Sequence, residues 1–239
     1  MLFRQLFDRD TYTYTYLVAC ERTREAALVD PVRERVPDYL RLLRELGLAL
    51  RWAVDTHLHA DHVTGAGPLR RETGCGVALG PGEGVACATR RLSHGDVLTL
   101  GDVALETLHT PGHTPESCCF LVGDRVLTGD TLFIRGTGRT DFQGGDARAQ
   151  YHSLTRHILS LPGDTLVYPG HDYRGWTVST IAEERAHNPR LRVALEEGEE
   201  AYVALMAGLG LAPPRRMAEA VPANRRCGDD PPGEAALES

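Results

Sequence analysis

The chain has 239 residues, a formal net charge of −7, 42% hydrophobic residues and 25% charged residues. That is the make-up of a globular chain long enough to bury a sizeable core, and it excludes a disordered or fibrous protein. The acidic balance excludes a general nucleic-acid binder, which carries a basic stripe, and no run approaches the ~18–20 apolar residues of a membrane helix.

The first third predicts strands around a helix. Tyr12, Tyr14 and Tyr16 alternate with threonines, the period-two pattern of a strand. Residues 26–30 form a short apolar strand ending at Pro31. Over residues 36–46 the apolar positions Val36, Leu40, Leu43 and Leu46 recur at helical spacing, with Gly47 as the stop. Residues 50–56 predict a buried strand that runs into a histidine-rich segment, with a helix beginning near Val63.

The middle predicts two hairpins, 97–108 turning at Gly101-Asp102 and 118–127 turning at Gly123-Asp124. A glycine-rich loop over 136–145 precedes a helix at 147–160 and a strand at 165–168. Two further helical stretches follow at 178–187 and 191–206. The second has apolar positions suited to its own sheet or to a partner copy, so a homodimer is open at this stage. Residues 1–210 are expected to form the catalytic domain. Residues 211–239 carry five of the 14 prolines and are expected to be a partly disordered extension, mobile from 228 onward.

The six cysteines form no C-x-x-C pair, and the chain is long for a disulfide-stapled scaffold. They are expected to be free thiols in a reducing compartment, which places the protein in the cytoplasm. Cys118 and Cys119 lie in an apolar strand and are expected to be buried and inert. The N-terminal ten residues hold four charges and do not form a secretory signal.

Chemistry concentrates at His57-x-His59-x-Asp61-His62. Residues two apart on an extended segment point the same way, so His57 and His59 face one point. Three later segments add one ligand type each beside turn residues: His113 in Thr-Pro-Gly-His-Thr-Pro, Asp130 in Thr-Gly-Asp-Thr, and His171 in Tyr-Pro-Gly-His-Asp. A lone histidine at a strand end is more often structural than functional. Here every candidate sits at a strand-to-loop edge, where one sheet edge delivers side chains to a single point. Imidazole and carboxylate together suit zinc or iron. Counted without further knowledge, seven ligands predict two metals, with Asp130 bridging. The other five of the ten histidines, at 94, 109, 152, 157 and 187, carry no functional expectation.

The order of these ligands resembles the metallo-β-lactamase superfamily, over residues 1–206. The resemblance implies an α/β fold, a four-layer αββα sandwich with its metal site at one edge of the sheets. Two further segments, Arg135-Gly-Thr-Gly-Arg-Thr-Asp-Phe-Gln143 and Gly170-His-Asp-Tyr-Arg-Gly175, resemble the persulfide dioxygenases, which oxidise glutathione persulfide to sulfite with molecular oxygen. Carried over by position, that likeness implies one Fe(II) per chain, held by His57, His113 and Asp130. Two histidines and one carboxylate leave coordination positions open for the persulfide sulfur and O2. His59, Asp61, His62 and His171 then orient the ligands or hold water.

The related glyoxalase II hydrolases supply the alternative: a hydroxyacylglutathione hydrolase with two zinc or mixed metal ions at the same seven residues. Both branches handle glutathione, whose carboxylates need cations. All 26 basic residues are arginine and none is lysine, a bias with the consequence that only guanidinium groups can serve. Arg139 and Arg174, with the Tyr173 hydroxyl, are expected to grip the substrate. A non-enzymatic metal-binding role is disfavoured because no ligand of the pattern is missing.

Overall fold

The computed structural model describes residues 1–82, 85, 87–214 and 216–229. Two six-stranded sheets lie face to face with helices on both outer sides. The first sheet runs β1 (Leu2–Asp8), β2 (Thr13–Ala19), β3 (Glu25–Val29), β4 (Ala49–Val54), β5 (Gly76–Leu79) and β6 (Arg90–Arg91). It is antiparallel from β1 to β3 and parallel from β3 to β6. The second sheet begins as a meander of β7 (Val97–Leu100), β8 (Val103–His109), β9 (Cys118–Val122) and β10 (Arg125–Gly129). β11 (Leu166–Pro169) then joins β10 in parallel, and β12 (Ser179–Thr180) closes the edge.

Side-chain alternation builds the layers. On β2, Tyr14, Tyr16 and Val18 enter the core between the sheets, while Leu17 and Ala19 face the outer helices. On β9, Cys118, Phe120 and Val122 point to the same inter-sheet core and Cys119 points outward beneath the other helices. A strand covered on both faces needs apolar residues at every position, which explains the unbroken runs in the sequence. Tyr16 joins the sheets directly: its hydroxyl donates to the Pro169 carbonyl at 2.5 Å.

Helices α1 (Val36–Glu45) and α2 (Ala66–Thr73) cover the first sheet. Helices α3 (Ala147–Ser153), α4 (Ile181–His187), α5 (Pro189–Glu196) and α6 (Glu199–Ala207) lie on the side of the second. The expected αββα order is therefore what the chain builds.

Several local expectations change. The stretch 191–206 is two helices, broken at Gly198, whose φ of 87° ends α5. Its apolar residues Leu191, Ala194, Tyr202 and Met206 are buried against the chain's own second sheet, while Leu195 is exposed. The helix at 147–160 is α3 followed by a π-helical turn at Leu154–Ile158. No helix starts at Val63; residues 57–65 are loop, and α2 begins at Ala66. The N-terminal ten residues supply β1, whose alternation is too shallow to read from sequence.

The cysteine expectation is corrected in one place. Cys20, Cys75, Cys118 and Cys119 are free and buried, but Cys87 and Cys227 form a disulfide across 140 residues of sequence. Cysteine spacing does not reveal it, because the pairing arises only when the C-terminal segment folds back onto the first sheet. That segment holds a further helix, α7 (Met217–Asn224), with Ala220 and Ala223 packed on Val63. The described part of the expected extension is thus joined to the domain. Residues 230–239, most of the expected mobile tail, lie outside the described residues. Among the described residues, no helix is long and apolar enough to cross a membrane.

Candidate metal centre

Four strands end at one edge of the sandwich and each delivers part of the site. β4 runs out at Val54 and the chain continues through Asp55 and Thr56 to His57; β8 is followed by His113, β10 by Asp130, and β11 by His171. Ligand atoms of His57, His113 and Asp130 all lie within 4.8 Å of one another, and a second group, His59, Asp61 and His62, is equally close. His171 connects the two: its Nε2 is 3.5 Å from Asp130 Oδ1 and 3.5 Å from Asp61 Oδ2. All seven candidates converge, and four of them, His57, His59, Asp61 and His62, come from a single helix-free loop.

Each ring is oriented by a hydrogen bond on its far nitrogen. His113 Nδ1 lies 2.7 Å from the Arg139 carbonyl and His171 Nδ1 lies 3.1 Å from the Tyr12 carbonyl. Carbonyls only accept, so both Nδ1 atoms carry a proton, and both Nε2 atoms are the ones turned to the centre, toward Asp130. Tyr12 sits in left-handed backbone at φ 58°, the turn that aims its carbonyl at His171. For His57, Nδ1 lies 3.0 Å from Thr56 Oγ1, whose single proton goes to Asp30 Oδ2 at 2.9 Å.

The buried charges interact strongly. Burial pushes the His57 ring well below its usual range, and the neighbouring His59 and His113 add to this. Burial opposes a charged His59 as well, but Asp30, 3.0 Å from its Nε2, with Asp55 and Asp61, lifts the ring to about 10. Burial would also favour a neutral Asp61, yet His62 and His171 hold its carboxyl well below the usual range. Asp55 is pushed up to about 7 by burial, with Asp30 adding to it against His59.

The donor set fits a metal ion. His59 Nδ1, His62 Nε2 and Asp130 Oδ1 are buried with no hydrogen-bond partner among the described residues. Each such atom left unpaired costs about 1–3 kcal/mol. Asp130 Oδ1 belongs to the residue grouped with His57 and His113, and the two imidazole nitrogens belong to the His59–Asp61–His62 group; nitrogen with carboxylate oxygen is the ligand set of zinc and iron.

The residues expected to grip substrate divide. The Arg139 guanidinium is spent: it pairs with Asp141 at 2.6 Å and donates to the carbonyls of Leu211 and Ala212. What Arg139 brings to the centre is its own carbonyl. Tyr173, 67% exposed, stacks parallel to His171 with centroids 6.0 Å apart. Arg174 lies over the Trp176 ring at 5.2 Å and forms no ion pair among the described residues. Asp172 Oδ2 accepts from the backbone amides of Arg174, Gly175 and Trp176, fixing this rim.

Sequence reasoning missed Tyr12, Asp30, Thr56 and Asn224, whose hydrogen bonds hold the candidate ligands or their backbone in place. Only Asp30, a carboxylate at the end of an apolar strand, offered any signal.

Comparisons with known proteins identify the family. Residues 8–171 match the metallo-beta-lactamase superfamily. The human mitochondrial persulfide dioxygenase ETHE1 is 48% identical over 97% of this chain and 91% of its own length. The crystal structure of ETHE1 from Myxococcus xanthus superposes with a TM-score of 0.92 at 49% identity, covering 96% of this chain and all of that one. A probable hydroxyacylglutathione hydrolase of Schizosaccharomyces pombe is more distant, 39% identical over 67% of this chain and 64% of its own. This chain belongs to the metallo-beta-lactamase superfamily, in the branch of the persulfide dioxygenases.

Proposed function

We propose that the protein is a persulfide dioxygenase that uses O2 to oxidise glutathione persulfide to sulfite, with one Fe(II) held by His57, His113 and Asp130. The observation that carries the reading is the convergence of that two-histidine, one-carboxylate group, with both flanking rings turned by carbonyl or hydroxyl partners. It is supported by 48% identity to the human persulfide dioxygenase along nearly the whole of both chains. The overall change balances as persulfide anion plus O2 plus water giving glutathione, sulfite and a proton. Iron, when bound, supplies open coordination positions that bring sulfur and oxygen together.

The chain's own residues supply geometry and charge. Arg139 O and Thr56 Oγ1 fix the imidazole planes, so the ligands need little reorganisation. Asp61, His62 and His171 form a hydrogen-bonding wall that holds water near the outer sulfur. Arg174 takes a glutathione carboxylate and Tyr173 lines the approach beside His171. Residues 1–210 form the catalytic unit and 211–229 complete it. We place the enzyme in the cytoplasm, where Cys20, Cys75, Cys118 and Cys119 remain thiols and the Cys87–Cys227 bond is the exception.

One observation favours a second reading. His59, Asp61 and His62 form a further three-ligand group, as a two-metal thioester hydrolase requires. Assaying one preparation on glutathione persulfide and on lactoylglutathione separates the two. Oxygen consumption with the persulfide and no appreciable thioester hydrolysis is the expected result; the converse overturns it.

A further inference from the structure

Asn224, the last residue of α7, is buried and spends its whole side chain on the loop that carries four of the candidate ligands. Its Nδ2 donates to the His59 carbonyl at 2.9 Å and to the His62 carbonyl at 2.9 Å, and its Oδ1 accepts from the Thr64 amide at 2.8 Å. The amide can face only one way here, since two carbonyls require donors and one N–H requires an acceptor. A loop without helix or strand must satisfy its buried backbone groups elsewhere, and for 59–64 three of those groups end on one residue 160 positions away.

The surrounding contacts leave α7 little freedom. Gly67 N donates to the Cys227 carbonyl at 2.7 Å. A Cβ at Gly228 would stand 1.9 Å from the Thr64 carbonyl oxygen, so only glycine allows the approach, and its φ of 77° suits glycine too. Three residues after Asn224, the Cys87–Cys227 disulfide ties the segment to the chain beyond β5.

We propose that Asn224 is a positioning residue for the metal centre, clamping the backbone of the 59–64 loop, and that the Cys87–Cys227 disulfide holds Asn224 in place. The inference rests on the metal reading of the site for its consequence, but not for the clamp itself. The C-terminal segment is then a working part of the centre. A dithiol that reduces the bond to two thiols, itself becoming a cyclic disulfide, loosens the metal site from a distance.

The test uses the full-length, metal-loaded protein and its metal-free form. Asn224→Ala removes all three bonds; Asn224→Asp keeps an acceptor for Thr64 N and removes both donors; Cys87→Ser opens the tether alone. Two rates are read: metal loss to a chelator, and amide hydrogen exchange of residues 57–64 without metal. Leu98→Ala, in the core at β7, is the control for general loss of thermal stability. Both Asn224 variants should release metal about 10–100-fold faster than wild type. They should also lose protection in 57–64, whereas Leu98→Ala should change neither rate selectively. Cys87→Ser and dithiol-treated wild type should shift the same way by a smaller factor. Unchanged rates in both Asn224 variants overturn the clamp. Loss of loop protection in a protein that binds no metal at all would keep the clamp and overturn the metal reading.

Discussion

Thr56 Oγ1 donates to Asp30 Oδ2 at 2.9 Å and lies 3.0 Å from His57 Nδ1. A hydroxyl has one proton, so the contact with His57 is one in which the ring donates. Asp30 thereby sets, through Thr56, which nitrogen of His57 is left as a lone pair toward the centre. The Thr56 backbone amide is held by the other oxygen of Asp30 at 2.7 Å, which fixes the relay at both ends.

Thr56→Val keeps the branched shape and removes the relay. Metal affinity should fall about 10–100-fold, the usual cost of losing a group that orients a ligand. Thr56→Ser should recover most of it. Chelator competition measures both, and equal affinity in Thr56→Val and wild type would show that the relay does not govern the ligand.

Gly170 precedes His171 and touches the other carboxylate side of the site. A Cβ there would stand 2.7 Å from Asp130 Oδ1 and 3.0 Å from the Gly129 carbonyl carbon. Gly170→Ala should displace Asp130, lower the metal content of purified protein, and destabilise the fold by about 1–3 kcal/mol, the usual cost of overpacking. Elemental analysis and denaturant melts report the two effects separately. Full metal content in this variant would mean that Asp130 is not a ligand.

Away from the centre, buried Asp8 receives Arg35 Nε at 2.6 Å and both Thr11 donors, N at 2.9 Å and Oγ1 at 2.7 Å. Burial alone would raise its pKa, but Thr11 and Arg35 outweigh it and hold the carboxyl below the usual range. A depressed folded-state pKa contributes stability above the unfolded value, near ~3.9, and loses it as pH falls through the folded one. Asp8→Asn should therefore cost about 1 kcal/mol at neutral pH, discounted for the partly exposed Arg35. The cost should shrink below about pH 4. Urea melts at several pH values check this; a cost that stays the same into acid would contradict the assignment.

How far the sequence carried the fold depended on where the constraint was local. Period-two alternation located β2, apolar runs located β4 and β9, and glycine-aspartate turns located both hairpins, because each signal lies within a few residues. The seven ligand types were legible for the same reason: each sits beside a strand end with its own turn residues. What holds them was not legible. Tyr12 meets His171 across 159 residues and Asn224 meets His62 across 162, and neither tyrosine carbonyl nor asparagine amide leaves a mark in composition or spacing. Arg139 shows the converse: its place in a glycine-rich loop suggested a grip on substrate, and only the fold reveals Asp141 and the carbonyls of Leu211 and Ala212 around its guanidinium. The Cys87–Cys227 pairing belongs to the same class, fixed by packing between distant segments.

The central claim is one iron at His57, His113 and Asp130 serving persulfide oxidation. Protein produced with ample iron should be analysed for metal and then placed in an oxygen electrode with glutathione persulfide. The account predicts about one iron per chain, oxygen uptake with sulfite formed, and loss of both iron and uptake in His113→Ala. Two tightly bound zinc ions per chain with no oxygen uptake would contradict it.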